Sequence, residues 1–170
     1  SDMLGVEKGT FTDARDGKTY KTVKIGAQTW MAENLAYLPN VSPSSSGSTT
    51  EPYYYVCEYS GYDVSAAKET ENYEKYGVLY NWPAALTACP DGWHIPSDDE
   101  WKQMEMFIGM SPSEADGTEW RGTDEGSKLK ATSGWNEFNG IDGNGTDNYG
   151  FSALPGGYCI RDGFRYVGER

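Results

Sequence analysis

Gly92-Trp93-His94-Ile95-Pro96-Ser97-Asp98-Asp99-Glu100-Trp101-Lys102-Gln103-Met104-Glu105-Met106-Phe107-Ile108-Gly109 carries the clearest change of periodicity in the chain. Trp93 and Ile95 flank His94 as strand neighbours. Ser97 and Glu100 then form a capping box, in which each side chain satisfies the other's orphan amide. Beyond it Trp101, Met104, Phe107 and Ile108 recur at three- and four-residue spacings, so the spacing predicts a helix to about Ile108 with one apolar face. Gly109 ends it. A strand feeding a capped helix, beside hairpin signals, predicts an α+β domain with short antiparallel strands, few helices and long loops. Trp101 and Met104 are expected to pack against those strands.

Working towards the N-terminus, Arg15-Asp16-Gly17-Lys18 is an Asp-Gly turn between alternating runs, which makes residues 9–30 a hairpin with Tyr20, Val23 and Ile25 nearly on one face. Ala32–Leu38 suits a short helix that stops before Pro39. Residues 39–52 are Pro, Ser, Thr and Gly, an exposed mobile loop by composition. Tyr53–Cys57 reads as a strand and Glu58–Lys75 as a second long excursion, so residues 39–75 are placed outside the core. Leu79–Trp82 enters a helix over Pro83–Ala88, with proline in the first turn where no amide partner is lost.

Towards the C-terminus, Gly126–Thr132 forms a helical turn and Asn139–Gly150 a convoluted loop. Gly150–Leu154 is a buried strand by its sequence. Tyr158-Cys159-Ile160 and Arg161–Val167 make a second Asp-Gly hairpin.

The 170 residues hold 14 Lys plus Arg against 26 Asp plus Glu, a net charge of −12. Such a field excludes a general nucleic-acid or anionic-membrane binder. No apolar run approaches the roughly 20 residues of a spanning helix. Residues 1–8 read as an N-terminal tail, with Ser1-Asp2-Met3 an appended scar or a trimmed mature end, and residues 9–170 as a single domain. Thirteen Tyr, six Trp and five Phe beside 21 Gly point to an aromatic core between glycine-rich turns and exclude disorder. Cys57, Cys89 and Cys159 form no C-x-x-C, which leaves one disulfide plus an odd thiol, or three buried thiols.

The runs Asp16–Gly26, Gln28–Leu35, Tyr76–Trp82, Cys89–Ser97 and Gly150–Tyr158 follow one another in an order that resembles the Fibrobacter succinogenes major paralogous domain family. The Gly92–Ser97 segment and the Glu100-Trp101 pair also resemble formylglycine-generating-enzyme-like domains. The resemblance implies a C-type-lectin-like fold and a surface-associated protein, often a lipoprotein, at an extracellular or outer-surface location. It further implies a closing segment beyond Gly168 that ends in Val-Arg-Cys, a natural partner for Cys89. A chain ending at Arg170 would then self-associate through its C-terminal hairpin, or receive that segment from another chain.

His94, the single histidine, reads as a structural imidazole rather than a general base. Asp142, Asn144 and Asp147 offer oxygens that a calcium ion would accept. The stretch lacks the glycine and glutamate of an EF-hand, and turn formation explains the same residues. Asp98, Asp99 and Glu100 suit the helix dipole, and neither they nor Asp13 and Asp16 are assigned as an acid/base pair. Trp30, Trp82, Trp93 and Trp101 read as core. Trp120 and Trp135, in loops, are the candidates for stacking on sugar rings.

No organic cofactor or transition metal is expected, and calcium alone is left open. The function expected is a non-catalytic surface binding or adhesion module for a glycan or a surface protein. A structural coat or appendage subunit is the alternative. A formylglycine-generating-type enzyme fits less well, because Cys159 has no nearby partner cysteine in sequence.

Overall fold

Thr19–Ile25 mixes threonine and lysine with larger apolar groups, and each of its faces is buried in part. In the computed structural model, which describes residues 6–169, this segment is the central strand of an antiparallel sheet. In chain order the elements are β1 (Lys8–Thr12), β2 (Thr19–Ile25), β3 (Gln28–Met31), β4 (Tyr54–Tyr55), α1 (Val64–Lys68), α2 (Glu71–Tyr76) and β5 (Leu79–Tyr80). They continue with α3 (Trp82–Ala88), α4 (Asp98–Phe107), α5 (Pro112–Ala115), α6 (Glu125–Leu129), β6 (Tyr158–Ile160) and β7 (Gly163–Arg165). This is a mixed α/β chain with small antiparallel sheets and short helices. None of the helices among the described residues is long and apolar enough to cross a membrane.

The chain forms two compact units. The first comprises the residues up to Asp13, 17–33 and 96–154. Its sheet runs β1-β2-β3, with Val23 opposite Trp30 and Ile25 opposite Gln28. Val23 and Ile25 lie on one face of β2 and join Trp30, Ala32, Met104 and Ile108 in a core cluster. Tyr20 and Thr22, on the other face, are buried too. The single apolar face expected for this strand is therefore two buried faces.

α4 starts as its sequence dictates. The Ser97 amide donates to Glu100 Oε2 at 2.8 Å, and the Glu100 amide donates to Ser97 Oγ at 3.3 Å. Gln28 Nε2 ties β3 to the helix through the Glu100 carbonyl at 3.0 Å. Lys102 spans Asp98 at 3.0 Å and Asp116 at 3.1 Å, pairs that raise the ammonium pKa through their hydrogen bonds.

The apolar face of α4 is narrower than its spacing predicts. Met104 and Ile108 are buried, whereas Trp101 is 37% and Phe107 57% exposed. The neighbouring strand, β3, has four residues, and only the i, i+4 pair lies fully over the core. Trp101 lies at the rim, its ring 4.8 Å from that of Trp30. Phe107 covers the β2–β3 turn, where a Cβ on Gly26 would come within 3.0 Å of its ring. The buried indole N–H of Trp30 meets no acceptor among the described residues.

Residues 150–154 form no strand. Ala153 makes a single parallel bridge with Lys130, and Ser152 sits at φ 55°, which interrupts extended pairing.

The second unit comprises residues 14–16, 34–95 and 155–170. The helix expected over Ala32–Leu38 is absent, because distant groups claim its carbonyls. The Val78 amide bonds the Leu35 carbonyl at 3.1 Å, Tyr73 Oη that of Ala36 at 2.8 Å, and Tyr80 Oη that of Tyr37 at 2.9 Å. The segment is a strap without regular structure. It passes so close to Gly77 (φ 67°) that a Cβ there would stand 2.7 Å from the Leu35 carbonyl oxygen. Arg15 lies with its guanidinium carbon 3.7 Å from the centre of the Tyr37 ring and donates to the Ala88 carbonyl at 2.8 Å.

Residues 39–75 are likewise not an excursion. Val41, Val56, Cys57, Ala67 and Tyr73 are among the buried residues, and 58–75 contains α1 and α2, capped by Asp63 and Thr70. Few apolar residues are present here, and the rings of Tyr54, Tyr55 and Tyr73 are buried beside them. Residues 92–96 are not a strand either. The Trp93 amide closes a turn onto the Pro90 carbonyl at 3.0 Å, and His94 and Ile95 are exposed.

Truncation separates the two kinds of residue on α4. Met104→Ala is expected to cost about 2–4 kcal/mol, the usual range for a buried large-to-small change. Phe107→Ala, half in solvent, is expected to cost about 1 kcal/mol. Urea denaturation of the two variants reads the difference.

Candidate functional site

Ser42–Ser48 is the most serine-rich part of the chain, and the second unit folds it into one wall of a cleft of about 280 Å³. Ser44, Ser46, Gly47 and Ser48 form that wall. Tyr55 of β4, Leu79 and Tyr80 of β5, and Asn81 form the floor and back. The hairpin residues Tyr158, Cys159, Ile160 and Arg161 close the other side.

The loop is anchored rather than loose. The Ser46 amide closes a turn onto the Pro43 carbonyl at 3.0 Å, and Tyr55 Oη donates to the Ser46 carbonyl at 2.7 Å. Asn81 is the main anchor. Its Oδ1 accepts from the Tyr53 amide at 2.8 Å and from the Ala84 amide at 3.1 Å, the latter bond capping α3. Its Nδ2 donates to the carbonyls of Ser48 at 2.9 Å and Glu51 at 2.8 Å. All four hydrogen-bonding positions of the amide are used.

On the facing side β6 and β7 pair antiparallel, with Tyr158 opposite Arg165. Gly157, at φ 65°, leads into this hairpin where any Cβ would collide with the Arg165 carbonyl. The Tyr158 ring is half in solvent and lies 5.5 Å from the Tyr166 ring. The hydroxyls of Ser44, Ser46 and Tyr158 have no hydrogen-bond partner among the described residues. No Asp or Glu is among the described residues that line the cleft. Neutral donors and acceptors and one cation, Arg161, therefore surround an aromatic edge.

The residues singled out from sequence lie elsewhere. Trp120 and Trp135 belong to the first unit. Trp120 is 87% exposed and forms no part of the cleft lining. Trp135 covers its own loop: Nε1 donates to the Ala153 carbonyl at 2.9 Å, and Lys130 Nζ lies 4.2 Å from its ring centre. Trp82, read as core, is 66% exposed; as the first residue of α3 it faces solvent, and Ala84 and Ala88 form the buried side.

Asp142 Oδ1 accepts from both the amide and the Nδ2 of Asn144, at 3.0 and 2.8 Å. Asp147 binds the amide and hydroxyl of Ser152, at 2.8 and 2.6 Å. These oxygens hold turns. Among the described residues no cluster of three or more His, Cys, Asp or Glu is arranged for a metal ion. Sequence reasoning missed the cleft, because the serine run reads only as a loop and Asn81-Trp82-Pro83 only as a helix start.

Cys57, Cys89 and Cys159 are free thiols, so the arrangement with one disulfide is not the one found here. Burial raises the pKa of all three. For Cys57 it is pushed up to about 11, by burial first and then by the neighbouring Glu58 and Cys159. At neutral pH these are protonated, weakly nucleophilic thiols.

A preformed hollow held by loops, short sheets and one hairpin defines this chain as a small mixed α/β module with an aromatic-edged cleft free of carboxylates among its described lining residues. It belongs to the Fibrobacter succinogenes major domain family, whose model matches residues 23–170. No curated protein and no solved structure matches the chain.

Two measurements follow from this geometry. Asn81→Ala removes a helix cap and two loop anchors, so it is expected to cost about 2–4 kcal/mol. Asn81→Asp keeps the two acceptor bonds but turns a carboxylate oxygen onto the carbonyls of Ser48 and Glu51, so it is expected to cost about as much as Asn81→Ala in urea titrations.

The second measurement is of stability against pH. Below pH 9.0, the ordinary thiol value, Cys57 is protonated in both folded and unfolded chains. Between 9.0 and about 11 the unfolded chain loses its proton first, so stability falls as pH rises. Tyr55 and Tyr73, also raised by burial, act in the same direction above their ordinary value of 10.0. Denaturation of wild type and Cys57→Ala from pH 7 to 10.5 should show a shallower decline in the variant.

Proposed function

We propose that this chain is a non-catalytic binding module that takes a carbohydrate chain end in the cleft between the serine loop and the β6–β7 hairpin. The observation that carries the reading is the lining: an exposed Tyr158 ring beside free Ser44 and Ser46 hydroxyls and an amide-braced wall. Sugars present apolar ring faces and rings of hydroxyls. An aromatic edge next to neutral hydrogen-bonding groups complements both. The volume of about 280 Å³ lies just below the roughly 300–1,000 Å³ usual for small-molecule sites. It therefore suits one or two sugar units rather than a long polymer.

Binding without turnover is the reading that goes with this lining. Glycoside hydrolysis needs a carboxyl pair, and the described lining offers no carboxylate. Thiol chemistry needs a thiolate, and burial keeps Cys159, which borders the cleft, protonated. A C-type-lectin-like scaffold at an extracellular or outer cell surface belongs to the same proposal, supported by the placement of the cleft on loops, where recognition residues usually stand.

Titration of the protein with a panel of mono- and disaccharides, followed by amide NMR, tests the proposal. Shifts are expected at Ser44, Ser46 and Tyr158, and Tyr158→Ala should weaken binding at least tenfold with the fold intact. Absence of saccharide binding, or binding indifferent to Tyr158→Ala, overturns it.

A further inference from the structure

Acidic residues outnumber basic ones 26 to 14 in this chain, yet the charge pattern reverses at the cleft. Among the described residues that line it there is no carboxylate and a single cation, Arg161. Arg161 is exposed at the turn between β6 and β7, and it has no hydrogen-bond or ion-pair partner among the described residues. Its neighbour Asp162 is already taken, since Arg165 Nη2 lies 3.3 Å from Asp162 Oδ2. Arg165 also donates to the Phe164 carbonyl at 3.0 Å. The hairpin thus neutralises its own acid with one arginine and leaves the other directed to the cleft.

We propose that the cleft selects acidic glycans, specifically a carboxylate-bearing terminal sugar of the uronic-acid class, with Arg161 as the residue that reads the carboxylate. This inference rests on the carbohydrate-binding reading above and names its ligand. A planar guanidinium matches a planar carboxylate with two parallel N–H···O bonds, which gives orientation as well as attraction. Tyr158 offers its ring to the sugar face, and the Ser44 and Ser46 hydroxyls face the ligand's own hydroxyls. The net charge of −12 does not forbid an anion here. At physiological salt, fields are damped over about 8 Å, and the only charge on the described lining itself is that of Arg161. Asp162, within that reach, is offset by Arg165.

The test is calorimetric titration of the whole chain with a galacturonate trisaccharide, its methyl ester, and an oligoglutamate peptide of equal charge. Each is run on wild type, Arg161→Gln, Arg161→Lys and Tyr158→Ala, with folding of every variant checked by circular dichroism. The free acid is expected to bind wild type at least tenfold more tightly than the ester. Arg161→Gln should abolish that preference, weakening binding of the free acid at least tenfold so that acid and ester bind alike. Arg161→Lys should restore only part of it, because the charge returns without the fork.

Equal binding of acid and ester by wild type, or a preference that survives Arg161→Gln, overturns the inference and leaves the carbohydrate reading standing. Binding of neither saccharide overturns both. Binding of oligoglutamate as tight as the galacturonate, with the same dependence on Arg161, assigns the cleft to acidic peptides and overturns the uronate assignment.

Discussion

The carboxamide of Asn81 holds three separate pieces of the second unit in register. Its oxygen caps α3 and accepts from the start of the Tyr53–Tyr55 segment, and its nitrogen binds two carbonyls of the serine loop. A group with two donors and two acceptor positions, all filled, fixes direction as well as distance. The serine loop has little apolar surface with which to pack, so polar anchoring is what defines its shape. The wall of the cleft therefore depends on this one side chain more than on burial, and the hydroxyls of the serine loop that line the cleft inherit their positions from it.

Tyrosine serves two ends in this chain, and hydrogen bonding separates them. Tyr55, Tyr73 and Tyr80 bury their rings wholly or in part and spend their hydroxyls on backbone carbonyls of Ser46, Ala36 and Tyr37. Each such bond satisfies a carbonyl that no helix or sheet partner reaches, which is how long irregular segments can line a core without stranded polar groups. Tyr158 and Tyr166 instead remain half in solvent on the C-terminal hairpin. The same composition thus supplies the core and the edge of the cleft.

Local signals in the sequence were read well where the partner lies within a few residues. The Asp16-Gly17 turn, the Ser97–Glu100 capping box, the Pro83 helix start and the second Asp-Gly hairpin all occur as their residues dictate. The misreadings share one cause. Ala32–Leu38 has helical composition, yet Val78, Tyr73 and Tyr80 take its carbonyls from more than 30 positions away. Gly150–Leu154 has strand composition, yet it makes only one bridge. Residues 39–75 look polar when counted singly, and become core because their tyrosines and small apolar residues meet distant partners.

The candidate site was hidden for the same reason. Nothing in the serine run, in Asn81 or in Arg161 signals a shared hollow, because the three lie about 35 to 115 positions apart and no motif joins them. By itself the sequence determined the capped helix, the two hairpins, the strong negative charge and the family, since each rests on short-range spacing or on composition. Tertiary structure alone decided which aromatics are buried, that residues 34–38 form no helix, and that an arginine without a partner among the described residues lines a cleft whose described lining holds no carboxylate. Those outcomes depend on hydrogen bonds and burial between segments far apart in the chain, and such pairings are settled only when the backbone carbonyls, phenols and amides find their partners in space.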